Sequence, residues 1–256
     1  MSNHGASNES ASNKRALNDG EALGESLPGL TTRRTLLLWA LAFLLANLTA
    51  SIVVLVSYGA DTDGVTPVWV VGVSALSMWT AYIVVLFKIS EKYGVADFAR
   101  DYRIRFSIKD LWGIPLGIAS QFVLVTLVTY PLTKLFPDQF SVEEVEERAR
   151  DLADSAIGAW MIVLFAVVVI GAPVIEEIVY RGFLQQGLAR NIAPNVALVV
   201  SAAIFAAIHL RPVEFPGLFA FALVLGVAYQ RTQRLGLPIL THMAFNASGL
   251  IVVTLL

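Results

Sequence analysis

The 256-residue sequence has no cysteine, which excludes disulfides, iron–sulfur clusters and thiol catalysis. Histidine is nearly absent too, with His4, His209 and His242 the three present. Charged residues are 15% of the chain, and the net charge of −2 provides no basic excess for nucleic acid. Neither an internal repeat nor the alternating ten-residue pattern of a membrane β-barrel can be found. What is abundant is apolar: 56% of residues are hydrophobic and mean hydropathy is +0.68. An ordinary soluble domain is about 45–50% apolar on a similar count. A bilayer core takes about 20 apolar residues per helix, and the chain offers several such runs. The expected fold class is all-α, a polytopic transmembrane helix bundle embedded in the lipid bilayer.

Residues 1–34 are rich in Ser, Asn, Gly and Glu and read as a disordered polar tail. The tail is too long and too polar for the n-region of a signal peptide. Expected spans run over 36–58, 67–87, 113–133, 157–180, 195–210, 215–231 and 237–256, about seven, with six to eight the range. Lys88, Lys92, Arg100, Arg103, Arg105 and Lys109 crowd the loop after the second span. With Arg33 and Arg34 before the first, the positive-inside rule puts the N-terminus in the cytoplasm. The segment 93–112 is basic and amphipathic and is expected to lie on the cytoplasmic membrane surface. The acidic stretch 137–154, by contrast, reads as an external amphipathic helix with a solvated face. Three regions follow: the tail, the N-terminal membrane helices of 35–154, and a C-terminal membrane region of 155–256. Short loops and compact size fit a prokaryotic plasma membrane.

Ionisable groups inside membrane spans are costly and usually face a bundle interior or a wet cavity. Here they cluster in the C-terminal region. "EEIVYR" holds Glu176, Glu177 and Arg181; "FAAIH" runs from Phe205 to His209; "HMAFN" runs from His242 to Asn246. Glu177 and Arg181 are four apart on one helical face and can pair. Glu176 points about 100° away, and Pro173 just upstream can kink the helix and aim it into a cavity. His242 and Asn246 also share a face, and Phe205 lies one turn before His209. A carboxylate, two imidazoles and an amide suffice to activate water. They also suffice to polarise a carbonyl or to hold a metal that does so.

Taken jointly and in this order, the EExxxR, FxxxH and HxxxN motifs resemble the CPBP family. It comprises CAAX-type prenyl endopeptidases and bacteriocin-processing or immunity proteins, and is also called the ABI family. The resemblance covers about residues 155–256 and implies an intramembrane endopeptidase acting on a membrane-anchored protein or peptide. By that resemblance Glu176 and His209 activate water, and His242 and Asn246 stabilise the oxyanion. Glu177, Arg181 and Phe205 would support the site. A competing account of the family makes it a metalloprotease, with His209 and His242 as zinc ligands. The residues allow both, although the stronger zinc signal HExxH is missing.

Drawn as straight helices, these spans leave Glu176 and His242 near cytoplasmic ends and His209 at the far end of its run. The expected remedy is a fourth helix that runs on past Arg181, kinked at Pro173 so that Glu176 lies deeper, with the fifth tilted or starting inside a cavity. Two other functions remain compatible with the sequence. A transporter or proton channel would also place Glu, Arg and His in spans, commonly with an internal repeat. A non-catalytic scaffold, regulating a partner such as a sensor kinase, would use the same residues structurally.

Overall fold

The computed structural model describes residues 27–58, 66–137, 139–140, 156 and 158–255. Positions 1–26 of the expected tail, and 138 and 141–154 of the acidic segment, lie outside the described residues. Eight helices follow in order, and no strand occurs among the described residues. Two long apolar helices come first, α1 (Thr32–Tyr58) and α2 (Val68–Tyr93). The short α3 (Phe98–Asp101) leads into α4 (Ile108–Leu135), which opens with a 3-10 turn. Helix α5 (Trp160–Ala189) is followed by α6 (Pro194–Ala207), α7 (Phe215–Thr232) and α8 (Gly236–Leu255).

Every expected span corresponds to a helix. Helices α1, α2, α4, α5 and α8 are long and apolar enough to cross a membrane. Helix α6 is shorter, at 14 residues, and α7 ends in the polar run Gln230, Arg231, Thr232. The first helix starts earlier than its hydropathy suggests. Thr32 opens it, and Leu27 and Leu30 just before it are buried. Leu44, Leu55 and Leu127 point outward, as helices in lipid require.

The bundle is built around the C-terminal half of α5, where every residue from Glu177 to Leu188 is buried. Helices α1 and α2 pair on one side of it, and α6 and α7 pair on another. Side chains of α5 form a ladder to α7. Arg181 donates to the Ala222 carbonyl at 3.1 Å, and Gln185 donates to that of Gly226 at 3.1 Å. Tyr229 then donates to Gln186 Oε1 at 2.6 Å. The spacing of four on both helices makes the ladder possible.

Two π-helical stretches, Ala166–Gly171 and Ile178–Gln185, lie on either side of the two glutamates of α5. Pro173 accounts for a feature of the first. Ala172 N–H reaches back five residues to the Val167 carbonyl. The next position is proline and has no N–H to offer Val168. Bulges of this kind absorb such a mismatch without ending the helix, so α5 continues to Ala189 as the site requires.

The segment 93–112 departs from the surface-helix expectation. It folds into α3, a loop and the 3-10 turn, and Asp101, Tyr102 and Asp110 are fully buried. Tyr102 donates to the Leu86 carbonyl at 2.6 Å and packs on Phe183. Burial, with the Asp101 carboxylate beside it, pushes its hydroxyl well above the ordinary tyrosine value. Arg234 grips Asp110 at 2.7 Å, and the backbone N–H of Leu235 and Gly236 donate to Arg103 and Arg105 carbonyls. The loop therefore sets where α8 begins. Amphipathicity correctly marks its exposed apolar residues but cannot reveal that its polar ones are buried.

Helix α4 lies along α8 at its closest approach through Gly113 and Gly117. A Cβ on Gly117 would collide with the Thr241 carbonyl, and one on Gly113 would lie 2.8 Å from Thr241 N. Small residues four apart are how membrane helices bring backbones together. Gly117→Val should lower stability by about 1–3 kcal/mol, the usual cost of overpacking. Gly217→Ala, whose new methyl would sit 3.4 Å from Val125, should be nearly neutral. Thermal melting of both variants in one detergent checks the contrast.

Candidate active site

Glu176 lies about 20 Å before the end of α5 at 1.5 Å per residue. The chain turns at 190–193 and returns along α6, so Phe205 lies about 17 Å from Pro194 on the antiparallel path. Both distances run from the same end of the bundle, which brings the two motifs to one level. Helix α8 starts deeper, because Leu235 packs beside Gly182 and Tyr102. His242 then needs about 9 Å from Gly236 to reach the same level. The difficulty of closing the site thus came from ending the fourth span at 180 rather than at Ala189.

Glu177 and Arg181 pair at 2.8 Å with both side chains essentially sealed from solvent, at 0% and 1% exposure. The same Glu177 Oε1 also accepts from His242 Nδ1 at 2.8 Å. A carboxylate is an acceptor, so Nδ1 carries the proton and Nε2 points away. Nε2 faces Glu176 Oε2 at 3.8 Å. Glu176 keeps 27% of its side chain exposed, in contrast to its neighbour. One turn of sequence thus supplies a buried carboxylate that orients His242 and an accessible one that confronts it.

Phe205 is the packing centre. Its ring lies 5.0 Å from the His209 ring, 5.9 Å from His242 and 5.1 Å from Tyr180, and the Arg181 guanidinium sits 4.8 Å from its centroid. The cation–π contact adds to the ion pair in holding Arg181. Phe221 meets His242 edge-on at 5.4 Å and stacks on Phe245 at 3.8 Å.

His209 sits just past the end of α6, partly buried, with Nδ1 2.8 Å from the Phe205 carbonyl. That carbonyl accepts, so His209 Nε2 is the nitrogen left for chemistry. Among the described residues no ion pair joins His209 to Glu176; His242 is the histidine beside that carboxylate. Asn246 donates to the Val168 carbonyl at 2.8 Å, the group that Pro173 leaves without a helical donor. Its second N–H remains. Asn246 also lines a largely apolar cavity of about 270 Å³ with Gln121, Val168, Phe245 and Leu250.

Hydrophobic pattern and spacing revealed the Glu177–Arg181 pair. They missed the Glu177–His242 bond, which joins α5 to α8, and Phe221, which has no distinguishing local signal. The Asn246–Val168 bond had a signal in Pro173, five residues after Val168. A zinc site would need a third ligand beside Glu176 and His242. Among the described residues no three His, Asp or Glu side chains converge to hold a metal. No step below is routed through a metal.

Residues 158–248 match the family model described as type II CAAX prenyl endopeptidase Rce1-like. That range takes in all three motifs and agrees with the CPBP resemblance. No curated protein and no solved structure matches the chain.

Removing Arg181 would leave Glu177 as a buried charge facing only His242. Arg181→Met should destabilise the protein by about 3–5 kcal/mol. Asn246→Ala, which orphans one carbonyl, should cost about 1–3 kcal/mol. Melting temperatures in detergent check the order, and equal stability of the two variants contradicts it.

Proposed function

With an Rce1-like domain of CAAX-protease type at residues 158–248 as premise, we propose that the chain is an intramembrane endopeptidase. It hydrolyses a peptide bond in a membrane-anchored protein or peptide. The observation that carries the reading is the facing of Glu176 and His242 across 3.8 Å, with Glu177 behind the histidine. A base, an imidazole and an orienting carboxylate form the arrangement general acid–base catalysis uses.

Glu176 is the general base. A water beside its accessible carboxylate gives up a proton to Oε2 as its oxygen adds to the scissile carbonyl. The resulting oxyanion needs donors already in place. The Asn246 N–H not bound to Val168 is one such donor, and His242 presents Nε2 from the same face of α8. The proton held by Glu176 then passes to the leaving amine as the carbon–nitrogen bond breaks. His209, with Nδ1 fixed on the Phe205 carbonyl, offers Nε2 to the water or the substrate. Glu177 and Arg181 are positioning residues that hold the imidazole.

The scaffold reading draws on a specific observation. Glu177, Arg181 and Asn246 each make a helix-to-helix bond, so their presence is explained without catalysis. Among the described residues Glu176 has no such bond beyond its approach to His242, and its exposure separates the readings.

Glu176→Gln keeps shape and removes the base. It should cut turnover by about 10²–10⁴-fold, the usual worth of general base catalysis, and leave the melting temperature unchanged. New protein termini in membranes of wild-type, deletion and Glu176→Gln strains provide the readout. Cleavage products lost in both mutants support hydrolysis. A deletion phenotype that Glu176→Gln fully complements favours the scaffold.

A further inference from the structure

Helix α4 carries a row of polar side chains through its apolar run. The hydroxyls of Ser120, Thr126, Thr129 and Thr133 each donate to a carbonyl of their own helix, at 2.7 or 2.8 Å. Gln121 differs. Its carboxamide has no hydrogen-bond partner among the described residues, although its neighbours Phe122 and Val123 are exposed in a span that faces lipid. An unpaired amide in such surroundings is costly.

Two features hold the side chain where it is. Helix α4 makes a π turn over Ser120–Leu124, closed by Val125 N–H reaching the Ser120 carbonyl, and π turns gather at functional sites. On the facing helix α8, Gly249 leaves the space. A Cβ there would lie 3.5 Å from Gln121 Cδ and Nε2 and 3.6 Å from Oε1. The carboxamide thus rests against bare backbone, about one turn beyond Asn246. Gln121 and Asn246 line the same cavity of about 270 Å³. Of the other polar lining residues, Glu214 pairs with Arg211 at 3.5 Å and Thr129 donates to its own helix. The volume is at the small end for ligand pockets, and the walls are largely apolar with two amides converging.

A carboxamide sets an N–H donor beside a carbonyl acceptor, the complement of one peptide unit. A chain must be extended where it is cut, and its backbone N–H and C=O then need partners inside a membrane. We propose that Gln121 is a substrate-binding residue, an assignment that rests on the endopeptidase reading above. Its carboxamide pairs with a backbone peptide unit of the substrate, and a substrate side chain fills the cavity beside it. Gly249 lies seven residues past His242, about 10 Å along α8, a length that about three residues of extended chain cover. Gln121 therefore binds the peptide unit about three residues from the scissile bond, on the side away from Gly236. Position 121 lies outside residues 158–248, so the family match carries none of this.

Termini present in wild-type membranes and lost with Glu176→Gln locate the scissile bond, and a synthetic peptide spanning the most abundant one is the probe. With the purified full chain in detergent, Gln121→Leu should raise KM for that peptide about tenfold, the worth of two neutral hydrogen bonds. The kcat should be nearly unchanged, as when uniform binding is lost. The melting temperature should not fall, because an unpaired amide is removed; Gln121→Met, of nearly equal length, repeats the test. Peptides N-methylated one residue at a time should reveal a position where methylation weakens binding several-fold in wild type and little in Gln121→Leu. A structural role for Gln121 produces no such coupling to a single substrate N–H. An unchanged KM in Gln121→Leu, or methylation losses equal in both proteins, overturns the assignment while leaving hydrolysis intact. If Glu176→Gln loses no termini, the endopeptidase reading fails and takes this one with it.

Discussion

One carboxylate oxygen organises the C-terminal membrane region. Glu177 Oε1 accepts from Arg181 and from His242, both at 2.8 Å, in a place sealed from solvent. Arg181 in turn reaches the Ala222 carbonyl, so α5, α7 and α8 meet through a single anion. Burying such a charge is unfavourable unless partners compensate it. The partners here are a ring N–H and a cation that itself rests on the face of Phe205. Once they are assembled, any shift of one helix breaks several bonds at once. This fixes the His242 ring to far better than a lone hydrogen bond would.

The constraint makes the length and irregularity of α5 intelligible. The helix must present Glu176 and Glu177 in mid-bundle and still run on through Gln185 and Gln186, which bond to α7 and to the Asp101 carbonyl. Pro173 would ordinarily threaten so long a helix. The π turn upstream and the Asn246 side chain absorb the lost backbone bond instead. The loop from Arg103 to Asp110 sets the start of α8, and with it the height of His242.

Much of this was legible in the sequence, and the parts that were not share a cause. Hydropathy located every helix but the short α3, because lipid imposes a backbone rule that a single chain cannot evade. Helical spacing revealed Glu177–Arg181, because both partners lie on one helix. The Glu177–His242 bond spans α5 and α8, and periodicity within a helix carries no information about partners on another. Tyr102 and Asp110 show the same limit. Their segment reads as basic and amphipathic, yet these two side chains are buried against elements far along the chain. The position of His209 relative to Glu176 depended on where α5 ends. Arg190 and Pro194, beyond the apolar run, bear on that more than the run itself.

The adjacent glutamates show how one short motif can be divided between stability and chemistry. Neighbouring positions on a helix are about 100° apart, so they cannot serve the same cavity equally. Glu177 takes the buried direction and is balanced by Arg181. Glu176 takes the accessible direction, with 27% of its side chain exposed. Because Arg181 offsets the buried charge, His242 meets Glu177 through Nδ1 and turns Nε2 toward the Glu176 side. A single glutamate in either place would lose one half of the arrangement. Alone in the buried direction it would orient an imidazole with no base opposite. Alone in the accessible direction it would face a histidine free to rotate.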